Sequence, residues 1–159
     1  MKKHSIILAI FTLVFMASCS EPAQQSGNSS TSGTALSLPF EIDGITPPEG
    51  KPIEGPAAGK SSLEDAETLG QFEVDGFAVS LIIGSDEHEQ TAVNALSMKD
   101  GKRIDEIRLC TYYDMEPAGT DVKVLGAQVE LKDFTYSEDN TKTYTGERKI
   151  RIEKGMFAE

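Results

Sequence analysis

Beyond residue 62 the chain is dominated by alternation of apolar and polar positions. In FAVSLIIG, residues 77–84, Phe77, Val79, Leu81 and Ile83 fall on one face and Ala78, Ser80 and Ile82 on the other, which predicts a strand covered on both sides. TAVNALSM, residues 91–98, follows as a second strand with a weaker pattern. The pair Asp100-Gly101 in MKDGKR predicts a tight hairpin turn, because both central positions of such a turn take positive φ. It leads into IDEIRLCTYY, where Ile107, Leu109, Thr111 and Tyr113 share a phase. In TDVKVLGAQVEL, Val122 and Val124 keep one phase and Ala127, Val129 and Leu131 the other. Slippage by one residue across Gly126 predicts a β-bulge that bends a single strand. DFTYSEDNTKTYTGERKIRIEK predicts a hairpin with an acidic tip at Ser137–Asn140, closing in a half-buried strand with Ile150 and Ile152 inward. Only SSLEDAETLG has helical spacing: Ser61 or Ser62 as N-cap, Glu64 and Asp65 in the first turn, Leu63, Ala66 and Leu69 on one side, and Gly70 as the stop.

Before residue 63 the pattern changes. Residues 38–62 are rich in proline and glycine but carry Phe40, Ile42, Ile45 and Ile53, which predicts an extended arm lying along the domain without regular structure of its own. Ser20 to Ser37 has almost nothing to bury and reads as a flexible tether, with an r.m.s. reach of about 21–25 Å. The organisation expected is therefore a leader over 1–18, a tether over 19–37, an arm over 38–62 and a β domain over 63–159. The fold class is mainly β: five or six antiparallel strands with one short helix, forming either a small, partly open barrel or a two-layer β-sandwich. The run Gly119-Thr120-Asp121-Val122-Lys123-Val124-Leu125-Gly126, preceded by a strand and a loop, resembles the middle of an OB-fold over residues 107–129.

The first residues have the layout of a secretory signal: Lys2 and Lys3, an apolar run from Ile6 to Ala17, then small residues. A helix of that length rises only about 18 Å, against a hydrocarbon core of about 30 Å. Met16-Ala17-Ser18-Cys19 resembles the lipobox of bacterial lipoproteins. The resemblance implies that Cys19 becomes the mature N-terminus and is acylated, so that the partner it reaches first is a membrane, through a lipid anchor. Ser20 resembles the residue that follows the cysteine in the outer-membrane-sorted class, which implies a place in the cell envelope, at the outer membrane and facing the periplasm.

Charge and candidate chemistry narrow the function. The formal net charge is −11, and removal of the leader takes away Lys2 and Lys3 but no acid. Such a chain repels polyphosphate, so nucleic acid is not expected as a partner. Without Cys19 and His4, Cys110 is the only thiol and His88 the only imidazole. No internal disulfide can form, and Cys110, in an alternating apolar strand, is expected to be buried and inert. GPAAGKS, Gly55 to Ser61, ends like a phosphate-binding loop but has three residues between its glycines, one of them proline, so it reads as linker. GSDEHEQ places Asp86, His88 and Glu89 together with the charge for a divalent cation, although consecutive loop residues point in different directions. No nucleophile elbow, H-E-x-x-H, EF-hand or glycosidase signature is present, and no cofactor is expected. Tyr112, Tyr113, Tyr136 and Tyr144 are the candidates for a binding face on protein or glycan, large rigid side chains in a chain without tryptophan. The expected function is a membrane-anchored envelope lipoprotein with a small non-enzymatic β-rich interaction domain that binds another envelope protein or a glycan. The alternative is a metal-dependent or small-ligand-binding factor centred on the His88 loop.

Overall fold

The computed structural model describes residues 34–53, 59–113 and 117–159. These residues form two five-stranded antiparallel sheets. Sheet A contains β2 (Lys51–Pro52), β3 (Glu64–Val74), β4 (Phe77–Ser85), β5 (Thr91–Lys99) and β6 (Lys102–Thr111), in the order β2-β3-β4-β5-β6. Sheet B contains β1 (Phe40–Ile42), β7 (Ala118–Val124), β8 (Gln128–Tyr136), β9 (Lys142–Glu153) and β10 (Met156–Ala158), in the order β1-β7-β8-β9-β10. Sheet A is a meander throughout and sheet B is one from β7 to β10, with β1 from the arm added at the β7 edge; the two inner faces pack on each other. Val79, Leu81, Val93 and Ala95 of sheet A meet Val122, Val124, Val129, Leu131, Ile150 and Ile152 of sheet B in one core. Of the two architectures expected from the sequence, the chain takes the β-sandwich. No backbone ladder joins the sheets among the described residues, so the OB-like barrel is not formed.

Tight turns set the meander. Asp100 and Gly101 take φ of 50° and 72°, the pair of positive values that a two-residue hairpin loop requires, as expected. Asp75-Gly76 does the same between β3 and β4, with φ of 51° and 76°. The acidic tip at Ser137–Asn140 closes β8 onto β9, with the Ser137 N–H donating to the Thr141 carbonyl at 3.2 Å.

Three expectations are corrected. The helix over 61–70 is not there: Glu64–Val74 is strand β3, whose pairing with β4 slips between Glu64 and Glu67 and again between Thr68 and Gly70. Ala66 packs on the outer cluster and Leu69 on the inter-sheet core, so their three-residue spacing reflects the two opposite faces of a strand rather than one face of a helix. The bent strand around Gly126 is in fact two strands. Gly126 takes φ of +96°, the Leu125 N–H donates to the Gln128 carbonyl at 2.8 Å, and Val124 faces Val129 across the β7–β8 ladder. The arm over 38–62 does lie extended along the domain, but it supplies two short strands, β1 on β7 and β2 on β3. Ahead of it Thr34 and Leu36 pair with Gln71 of β3, and Leu36 packs on the core.

β4 is covered on both faces, as FAVSLIIG predicts, and so is β5, whose weaker pattern in TAVNALSM gives no such expectation. Ile82, Ala92, Leu96 and Met98 on the outer face of sheet A form a second cluster with Leu63, flanked by Ile53. Ile53 of the arm and Leu63 just after it thus help cover the outer face of sheet A, while among the described residues no comparable apolar cluster covers the outer face of sheet B.

Candidate interaction face on sheet B

Val122 and Val124 of β7, Val129 and Leu131 of β8, and Ile150 and Ile152 of β9 point into the core, so the residues alternating with them point outward. On β7 these are Asp121 and Lys123; on β8, Glu130, Lys132, Phe134 and Tyr136. A slip in the β8–β9 register between Asp133 and Phe134 sets Phe134 opposite Tyr144 and Tyr136 opposite Lys142. The face is thus an aromatic row bordered by charges. It encloses a shallow concavity of about 580 Å³ whose lining includes Glu41, Asp121, Lys123, Glu130, Lys132 and Tyr144.

Asp121 is the hub. One carboxylate oxygen accepts from Lys142 Nζ at 2.6 Å and from the Tyr144 hydroxyl at 2.9 Å; the other accepts from the Gly44 N–H at 3.1 Å, which ties the arm to the same group. Partial burial alone would push the Asp121 carboxyl up, but the donors from Lys142, Gly44 and Tyr144 outweigh it and hold its pKa below the ordinary carboxylate value. Tyr144 moves up, chiefly because it donates its hydroxyl to that carboxylate. Lys142 also moves up, since Asp121 outweighs the desolvation of its ammonium. Its ammonium lies 3.8 Å from the centroid of the Phe134 ring, a cation–π contact. Phe134 lies edge-on to Tyr136 at 5.6 Å and to Tyr144 at 6.3 Å. Buried Phe134 is thus the floor, and Tyr144, 55% exposed, is the accessible ring.

The four tyrosines named from the sequence separate. Tyr136 and Tyr144 share this face. Tyr112 is buried in the core, and its hydroxyl donates to the Asp43 carbonyl at 3.0 Å. Tyr113, expected in phase with Ile107 and Leu109, is instead exposed. Between Asn94↔Arg108 and Val93↔Cys110 the β6 strand carries one extra residue, Leu109, and the bulge exchanges the faces of everything after it.

Asp86, His88 and Glu89 do not converge. One Asp86 oxygen accepts the His88 and Gln90 N–H groups at 2.9 and 3.1 Å, and the other accepts from Arg108 Nη1 at 3.0 Å. The backbone bond from His88 is the largest influence holding the Asp86 pKa down. His88 is exposed with Glu87 at 3.6 Å, while Glu89 is exposed with φ of +60°. No group of three His, Cys, Asp or Glu side chains able to hold a metal occurs among the described residues. Cys110 is buried, and burial pushes its thiol up to about 11, which keeps it un-ionised at neutral pH. Cys19, Ser20, the leader and residues 54–58 of the linker containing GPAA lie outside the described residues.

Sequence reasoning missed Asp121, Lys142 and Phe134. Lys142 is two residues before Tyr144 on one strand, so their shared face was readable from KTYT; Asp121, 21 residues away from Lys142, is brought in only by the strand order. No protein-family model, curated protein or solved structure matches the chain.

Proposed function

We propose that the chain is a lipid-anchored envelope protein whose β-sandwich is a non-enzymatic interaction module, set at the outer membrane on the periplasmic side and holding another envelope protein or a glycan on the outer face of sheet B. The anchoring half rests on the lipobox-like Met16-Ala17-Ser18-Cys19 and the leader before it. The binding half rests on one observation: the open face of the sandwich presents an exposed tyrosine fixed by a buried aromatic floor and by Asp121. A few large, rigid, well-supported side chains carry most of the energy of a typical interface, and Tyr144 and Tyr136 are of that kind. The alternative centred on His88 has less support, because both oxygens of Asp86 are already engaged.

The test is photo-crosslinking in cells, with the reactive side chain placed in the full chain at position 144 or at position 88. Position 144 should yield discrete adducts and position 88 none. Adducts from 88 alone would overturn the reading. Calorimetry with zinc, calcium and manganese addresses the alternative: tight stoichiometric binding that vanishes in His88→Ala would replace the interaction module with a metal-dependent factor.

A further inference from the structure

We infer that the concavity on the outer face of sheet B is a subsite for a neutral oligosaccharide, with the ring of Tyr144 as the platform on which one pyranose lies; this rests on the interaction-module reading and names its ligand class. A pyranose offers two chemically different surfaces, a face of C–H groups that packs on an aromatic ring and a rim of hydroxyls that both donate and accept. The concavity has a counterpart for each. Its volume, about 580 Å³, lies in the range of clefts that take small ligands, about 300–1,000 Å³. Tyr144 is more than half exposed yet held, by its hydroxyl on Asp121 at 2.9 Å and by its edge contact with Phe134. Little entropy remains to be lost when a sugar covers it.

The rim is made of ion pairs: Lys142 with Asp121 at 2.6 Å, Lys123 with Glu41 at 2.7 Å, and Lys149 with Glu130 at 3.8 Å. A paired carboxylate keeps unused lone pairs and a paired ammonium keeps unused N–H groups, so each can bind a hydroxyl without breaking its pair. Lys132, whose ammonium lies over the Tyr144 ring at 5.9 Å from its centroid, has to swing aside on its flexible stem for a sugar to cover that side of the ring, and there becomes a further donor to its hydroxyls. Charge decides between ligand classes. The lining holds four carboxylates, from Glu41, Asp43, Asp121 and Glu130, beside three lysines, on a chain of net charge −11. A polyanion is repelled, and a polycation would meet three ammonium groups already in place. A neutral polyol meets neither penalty.

The experiment uses the full chain purified in detergent, titrated calorimetrically with maltohexaose, cellohexaose and chitohexaose, and with polygalacturonate as the acidic probe. At least one neutral hexasaccharide should bind. Tyr144→Ala should weaken that binding by about 10- to 30-fold, as truncation of a central aromatic anchor does. Tyr144→Phe, which keeps the ring, should lose less, and Tyr113→Ala, an exposed tyrosine off this face, should bind as wild type. Circular dichroism of each variant verifies the β fold. Failure of all three neutral sugars, equal affinity in Tyr144→Ala, or preference for polygalacturonate overturns the inference. Protein adducts from position 144 together with failure of the sugars would remove the oligosaccharide and leave the interaction module; absence of both would remove both.

Discussion

Glu106 shows how one side chain can hold two parts of the chain together. It lies on the outer face of β6 with its side chain 2% exposed. It accepts hydrogen bonds from the Ser61 hydroxyl at 2.7 Å, the Ser62 N–H at 3.0 Å and Asn94 Nδ2 at 2.7 Å, and pairs with Arg103 at 2.7 Å. Ser61 in turn accepts the Leu63 N–H at 3.2 Å, so this carboxylate fixes the end of the arm and with it the Leu63 cover over the second apolar cluster. Burial raises the Glu106 pKa, and the donors with Arg103 more than reverse that, leaving it below its ordinary value of 4.5. A carboxyl whose folded pKa is depressed contributes stability that is fully present above the unfolded pKa and is lost as pH falls through the folded one. Glu106→Gln should therefore destabilise the protein by about 1–3 kcal/mol at pH 7, the loss expected when buried donors lose a charged acceptor. The difference from wild type should shrink at pH 3. Urea unfolding of both proteins at the two pH values checks this, and a difference that is the same at both would refute the assignment.

At the scale of elements, the arm is part of the fold although its sequence resembles a linker. Ile42 is 3% exposed and faces Val122 across the β1–β7 ladder, while Ile45, three residues on, is 44% exposed. Ile42→Ala should destabilise by about 2–5 kcal/mol, the range for truncating a core aliphatic side chain, and Ile45→Ala should fall within about 0.5 kcal/mol of wild type. A fragment starting at Leu63 should keep a strand-dominated circular dichroism spectrum and unfold at a lower urea concentration. A helical spectrum is the result that would contradict the architecture. The same elements show where the sequence was legible. FAVSLIIG, the Asp100-Gly101 turn and the Ile150 and Ile152 phase carry their meaning locally, in alternation and turn chemistry. β3 does not, because two register slips displaced its alternation, and the local signal that opposes a helix there is the Asp75-Gly76 turn at its end. Gly126 was ambiguous for a different reason. Residues paired across a two-residue turn share a face while their numbers add to an odd value, as Val124 and Val129 do, so such a turn shifts the phase of the pattern by one, just as a bulge does. The aromatic part of the candidate face was partly visible as Tyr136 and Tyr144, whereas its carboxylate hub depends on which strands are neighbours, a long-range property that no local pattern encodes.

On the scale of the whole molecule, the two broad faces of the sandwich are unequal, and the anchor proposed at Cys19 bears on how that inequality is used. The arm passes over both sheets before β3, pairing with β7 through Phe40–Ile42, with β3 through Lys51–Pro52, and with Glu106 through Ser61 and Ser62. Its Ile53 packs on the apolar outer face of sheet A, while among the described residues the face of paired charges and tyrosines on sheet B carries no such apolar cover. A lipid anchor on such a domain would set its concentration near a membrane without using that face. No helix among the described residues is long and apolar enough to cross a membrane, so in this reading attachment resides in the acyl chains. Each buried methylene contributes about 0.8 kcal/mol, and two or three chains together make the attachment effectively permanent. Because hydrocarbon burial rather than charge provides the hold, wild-type protein should stay with the membrane fraction through a wash in 1 M salt, a condition in which charge interactions beyond about 3 Å are screened. Cys19→Ala should instead be released to the soluble fraction or persist as an unprocessed precursor. Fractionation followed by mass measurement of the N-terminus distinguishes these outcomes. If the Ala variant has lost residues 1–18 and still sediments with membranes, something other than an acylated cysteine holds it there, and the lipoprotein reading fails.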